Sequence, residues 1–150
     1  MSDEVTKELI KKLLSQGYDI LLLPHSLHPT DEVSHDGYYL QNFLFPGVST
    51  TQSIEQTLEA YKKCHIVLSM RLHSMILALT HHVPFVAISY SQKTNTLLEE
   101  IGWNYAHQSD AKVDDILGSI NTIEQEYEEL CQKLAERHAR YQTQYTQSFP

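Results

Sequence analysis

Three short runs, Asp19–Pro24 (DILLLP), His65–Leu68 (HIVL) and Pro84–Ile88 (PFVAI), are apolar at successive positions. A strand with one wet face alternates apolar and polar residues. A continuous run suits a parallel strand covered on both faces. Helical patterns separate the runs. Val5, Leu9, Ile10, Leu13 and Leu14 recur at helical spacing, which predicts a helix from Glu4 to Gln16 with Gly17 as its left-handed stop. Alternation of this kind implies a parallel sheet with right-handed crossovers, an α/β, Rossmann-like domain.

The remaining elements follow from local signals. His25 to Gly37 reads as a polar loop, with Asp31, Glu32 and Asp36 as solvated or capping residues; Tyr38–Phe43 reads as a short helix and Leu44–Gly47 as an ambiguous short strand. Ser53 and Gln56 fit a capping box for a helix whose face is Ile54, Leu58 and Tyr61. Leu72–Thr80 is apolar nearly all round, as a buried helix is. Asn95–Glu100 reads as a short helix closed by Gly102. From a cap at Asp110, a stripe from Val113 to Tyr141 predicts a long helical stretch with a break near Gly118–Asn121 and a frayed tail after Tyr145. The expected organisation is one domain over 1–150, with an α/β core over 1–112 and a helical stretch over 113–145.

Composition narrows the function classes. The hydrophobic share of 41% excludes a disordered tail. A net charge of −8, with no basic stripe, argues against nucleic acid and anionic membrane as partners. No apolar run is long enough to cross a bilayer. Two cysteines, Cys64 and Cys131, suit neither a disulfide framework nor a zinc motif, and no signal peptide opens the chain, so a reduced, cytoplasmic protein is expected. His81 and His82 have no partner at metal-ligand spacing, and no metal site is expected.

In open parallel sheets, ligands bind beyond the carboxyl ends of the strands. Three polar clusters stand there: Pro24-His25-Ser26, Ser69-Met70-Arg71-Leu72-His73-Ser74, and Ser89-Tyr90-Ser91-Gln92-Lys93. The second passes directly from strand into helix, where free N–H groups attract anions. Arg71 adds a planar fork suited to carboxylate or phosphate, His73 a group able to donate a hydrogen bond or move a proton, and Lys93 a second positive point. Pattern alone leaves Arg71 equally open to a structural salt bridge, His73 to a bystander role, and Ser89 and Tyr90 to finishing the strand.

The segment Ala60–Met75 (AYKKCHIVLSMRLHSM) resembles the signature of the polysaccharide pyruvyl transferase family: a helix end, an apolar strand, then Arg-Leu-His opening a helix. The resemblance extends through Val83–Tyr90 and Lys93 to Gly102, and upstream to Gly17–Ser26. It implies the C-terminal, donor-binding lobe of a two-lobed, GT-B-type transferase. The implied reaction moves a pyruvyl group from phosphoenolpyruvate onto two hydroxyls of a cell-surface glycan, forming a ketal without further cofactor. Arg71 and His73 match the donor-contacting pair and Lys93 a recurrent lysine. Ser74, Ser89, Tyr90 and His25 complete the expected donor side. Cys64 stands where the family commonly has an acidic residue. Whether His73 acts as acid or as phosphate ligand stays open.

Such domains open on a strand and this chain opens on a helix, so a first strand and a preceding lobe are expected to be missing. Self-association through the unpaired sheet edge, and donor binding without turnover, are expected in consequence. Two other readings stand beside the transferase: the nucleotide-sugar lobe of a glycosyltransferase of the same architecture, and a non-catalytic truncated domain.

Overall fold

A computed structural model describes residues 1–26 and 36–148, with side chains described as far as Thr143. The expectations for Asp31 and Glu32 lie outside the described residues. The chain divides into two compact units, Ser2–Lys63 and Cys64–Pro150. The fold is α/β and Rossmann-like, and among the described residues every strand pairing is parallel. The described strands form a two-stranded sheet in the first unit and a three-stranded sheet in the second.

In the first unit, α1 (Asp3–Ser15) starts one residue earlier than the periodicity suggests. Ser2 caps it, its side chain accepting from the Val5 N–H at 3.3 Å. Leu9, Ile10 and Leu13 are its buried stripe. Gly17, at φ +89°, turns the chain into β1 (Ile20–Leu22). β1 is not covered on both faces as its sequence suggests, for Leu21 is 39% exposed. α2 (Asp36–Leu40) continues into a 3-10 turn, Gln41–Phe43. The second strand is not Leu44–Gly47 but β2 (Val48–Thr50), which starts after Gly47. Gly47 has φ +90°, and a Cβ there would meet the Leu14 side chain at 3.2 Å. A left-handed glycine is therefore required at that turn.

Ser53 caps α3 (Ile54–Tyr61) through the Gln56 N–H at 3.2 Å. In the return bond Gln56 Oε1 accepts from the Gln52 N–H at 2.8 Å, one residue upstream of the cap. The buried face is Thr57 and Tyr61, whereas Ile54 and Leu58 are exposed. The expected stripe is thus rotated by about one position around the helix.

The second unit holds the better-covered sheet. β3 (Val67–Ser69) leads into α4 (Leu72–Thr80), β4 (Phe85–Ser89) into α5 (Gln92–Glu100), and β5 (Ala106–Gln108) into α6 (Val113–Gln125) and α7 (Tyr127–Ser148). β4 lies between the other two strands and is buried at all five positions, as its unbroken apolar run requires. The α6 stripe of Val113, Ile116, Leu117, Ile120 and Ile123 is buried, and Leu130 and Leu134 continue it on α7. The break falls at Glu126, not near Gly118, and the cap position is Lys112, not Asp110. Gly118 lies within α6 on an exposed face. It weakens the helix there by about 1 kcal/mol without ending it.

Candidate functional site at the carboxyl edge of β3 and β4

β3 and β4 run parallel with Ser69 opposite Ala87, so the segments leaving them emerge at one edge of the sheet. Ser69, 7% exposed, shapes the first exit: its Oγ accepts from the Arg71 N–H at 3.0 Å and donates to the Arg71 carbonyl at 3.1 Å. Arg71 occupies the N-cap of α4 with extended backbone and makes no side-chain capping bond. Most helices place Ser, Thr, Asp or Asn there to satisfy a first-turn N–H. A guanidinium has no acceptor to offer. The N-terminus of α4 thus keeps its positive end uncapped by its N-cap side chain and sets a permanent cation beside it. Arg71 and His73 are both exposed, and Ser74 is buried within the same first turn.

The second exit is built differently. Ser91 caps α5, accepting from the Thr94 N–H at 3.3 Å, with its Oγ 3.1 Å from the Thr94 hydroxyl. Ser89 is 2% exposed and its hydroxyl donates to Asn95 Oδ1, with the Ser91 carbonyl 3.5 Å away. That proton is committed to holding the turn, so Ser89 fixes the loop. Lys93 is exposed in the first turn of α5, and Tyr90, at the tip, is 64% exposed. The structure therefore brings Arg71, His73, Ser74, Ser89, Tyr90 and Lys93 to one sheet edge, with three cationic or proton-accepting side chains reaching solvent. Sequence reasoning places Ser69 and Ser91 in the polar clusters without assigning either a role, and names Asn95 only as a helix start. The signal for Ser91 was its place three residues before Thr94 at the start of a helix.

His25 belongs to the first unit. Its Nε2 lies 2.7 Å from the Tyr61 hydroxyl, with the two rings edge to face at 5.8 Å. Asp36 is more than a solvated loop residue: its Oδ2 accepts from the His25 and Ser26 N–H groups at 2.8 and 2.9 Å. Burial pushes both thiols, Cys64 and Cys131, above the ordinary range, so neither is a ready thiolate nucleophile. Among the described residues, no group of three or more His, Cys, Asp and Glu side chains stands ready to hold a metal ion. No described helix is long and apolar enough to cross a membrane.

Comparison with known proteins adds to this geometry. Residues 3–92 match the family described as polysaccharide pyruvyl transferase. The chain belongs to that family. The match contains β3, the Arg71-Leu72-His73 opening of α4, all of β4, and the Ser91 cap. A curated relative, the amylovoran biosynthesis protein AmsJ of Erwinia amylovora, is 31% identical over 74 residues, covering 48% of this chain and 18% of its own length. The chain thus aligns with less than a fifth of that relative. No solved structure matches the chain.

Proposed function

We propose that this chain binds phosphoenolpyruvate at the carboxyl edge of β3 and β4, as the donor module of a transferase that places a pyruvyl ketal on a cell-surface glycan. The observation that carries the reading is Arg71 at the N-cap position of α4, where its side chain makes no capping bond, set at the same sheet edge as Lys93. Phosphoenolpyruvate presents a carboxylate and a phosphate close together. The Arg71 fork suits either group in bidentate fashion, the first-turn N–H groups of α4 suit the other, and Lys93 adds a point charge. On a chain of net charge −8, such local cations are what an anionic donor needs.

The reaction sets the proton requirements. Two acceptor hydroxyls add to the central carbon, and the carbon–oxygen bond to phosphate breaks. One hydroxyl proton is balanced by the proton gained at the methylene carbon, which becomes a methyl group; the other is balanced on the departing phosphate. His73, exposed in the first turn of α4, serves either as the proton-transferring group or as a ligand of the phosphate. The acceptor would sit on a facing lobe, in the manner of GT-B-type transferases. AmsJ is named for a biosynthetic role, which accords with a glycan product. A reducing, cytoplasmic setting belongs to the same reading, with Cys64 and Cys131 as free thiols.

The test is a thermal-shift titration of the chain with phosphoenolpyruvate, and in parallel with uridine and guanosine diphosphate sugars. A specific ligand raises Tm by mass action, by about 2.7 kcal/mol of stability at a hundredfold excess over Kd. Stabilisation by phosphoenolpyruvate alone is expected. Stabilisation by a nucleotide sugar instead would assign the site to glycosyl transfer, and stabilisation by neither would leave a non-catalytic domain.

A further inference from the structure

The Cys64–Pro150 unit covers its large apolar side chains with one exception among the described residues. Tyr90 is 64% exposed, and the other exposed large apolar residues, such as Tyr38 and Tyr39, all belong to the Ser2–Lys63 unit. The exception stands at the site, for Tyr90 directly follows β4 and precedes the Ser91 cap of α5. Among the described residues no hydrogen bond or ring contact engages its side chain.

The backbone on either side of Tyr90 is held. Ser89 before it is buried and bonded to Asn95, and Ser91 after it accepts from the Thr94 N–H. The ring is thus presented to solvent from a fixed turn, and little ordering remains to be done when a ligand arrives. Gln92, two positions on and the first residue of α5, is exposed as well. Its amide both donates and accepts hydrogen bonds.

Phosphoenolpyruvate accounts for neither residue. A compact anion calls for cations and N–H groups, and a phenol ring and a primary amide carry no positive charge. A pyranose is their complement. Its axial C–H groups form an apolar ring face that stacks on an aromatic ring, and its neighbouring hydroxyls pair with an amide. Tyrosine makes such contacts at low entropic cost, because only two side-chain torsions are ordered.

We infer that Tyr90 is the acceptor platform of this site: its ring carries the apolar face of a hexopyranose unit of the glycan, and Gln92 bonds hydroxyls at the rim of that sugar. The inference rests on the donor reading above, which gives the sugar its purpose there. Tyr90 is then a positioning residue that sets the acceptor at the sheet edge where Arg71 and His73 lie, and the facing lobe supplies the remaining acceptor contacts.

The experiment titrates the full chain with the methyl pyranosides of glucose, galactose and mannose, with sorbitol as a polyol that has no ring face, and separately with phosphoenolpyruvate. Tyrosine-ring and amide signals are followed by NMR, and Tyr90→Phe identifies the Tyr90 ring signal. At least one pyranoside is expected to shift that signal saturably, and sorbitol to leave it unmoved. Tyr90→Ala is expected to weaken pyranoside binding about tenfold and Gln92→Ala about fivefold, as the loss of an aromatic contact and of a hydrogen bond implies. Tyr90→Phe keeps the ring and is expected to retain binding; circular dichroism confirms that the three variants are folded. No shift with any pyranoside, an equal response to sorbitol, or unchanged affinity in Tyr90→Ala would overturn the inference. The phosphoenolpyruvate arm separates the two readings. Phosphoenolpyruvate binding without pyranoside binding would remove the platform and keep the donor site, and the reverse would keep the platform and remove the donor site.

Discussion

Phe85→Ala is expected to cost the Cys64–Pro150 unit about 3–5 kcal/mol, the range for removing a buried aromatic ring. Phe85 opens β4, is fully buried, and stacks on Trp103 with ring centroids 4.8 Å apart at 20°. The Trp103 indole N–H donates to the Phe85 carbonyl at 2.8 Å, so the backbone of β4 pins the ring against which the side chain packs. β4 is hydrogen-bonded to both β3 and β5, so the surrounding structure has little room to collapse into the cavity. In a unit of this size each kcal/mol moves Tm by about 4–8 °C, so a fall of more than about 12 °C is expected. Denaturant titration of the two proteins measures the loss directly. A change below 1 kcal/mol would mean that this ring is not central to the core.

Arg71→Lys is expected to weaken phosphoenolpyruvate binding although the charge is kept. A lysine replaces the planar fork with a compact ammonium, and the lost charge-assisted contact is worth on the order of 1–3 kcal/mol. At about 1.4 kcal/mol per tenfold, that corresponds to a loss of roughly 5- to 150-fold in affinity. Arg71→Ala removes the charge as well and is expected to abolish measurable binding. The Tm of each variant without ligand is measured alongside, which separates recognition from folding. Unchanged affinity in Arg71→Lys, measured by calorimetry, would give Arg71 a structural role instead.

What the sequence discloses depends on how much of each element's stability is local. β4 is legible because burial on both faces forces the unbroken apolar run Phe85–Ile88; the apolar run of α4, Leu72 with Met75–Leu79, marks the helix but overstates its burial, for only Ser74, Met75, Ala78 and Leu79 are buried. β5 is invisible for the opposite reason. Ala106-His107-Gln108 has no apolar run, and the segment is a strand only because the β4 edge offers it a ladder, with Ile88 opposite His107. The start of α5 lies three residues before Asn95, because the Ser91 cap and not the apolar spacing decides it. The α6–α7 break is hidden because buried residues keep helical spacing on both sides of Glu126.

The site divides in the same way. That Arg71, His73 and Lys93 lie at strand ends follows from strand and helix boundaries, which are local. That Ser89 commits its hydroxyl to Asn95 depends on a turn geometry that no spacing rule specifies.

The central claim, that phosphoenolpyruvate is held where β3 and β4 give way to α4 and α5, is tested most directly by two-dimensional amide NMR of the labelled chain during a phosphoenolpyruvate titration. Saturable shifts are expected at the amides of Met70–Ser74 and Tyr90–Thr94, with much smaller shifts elsewhere in the Cys64–Pro150 unit, and Arg71→Ala should remove them. An unshifted spectrum, shifts confined to other residues, or the same shifts in Arg71→Ala would contradict it.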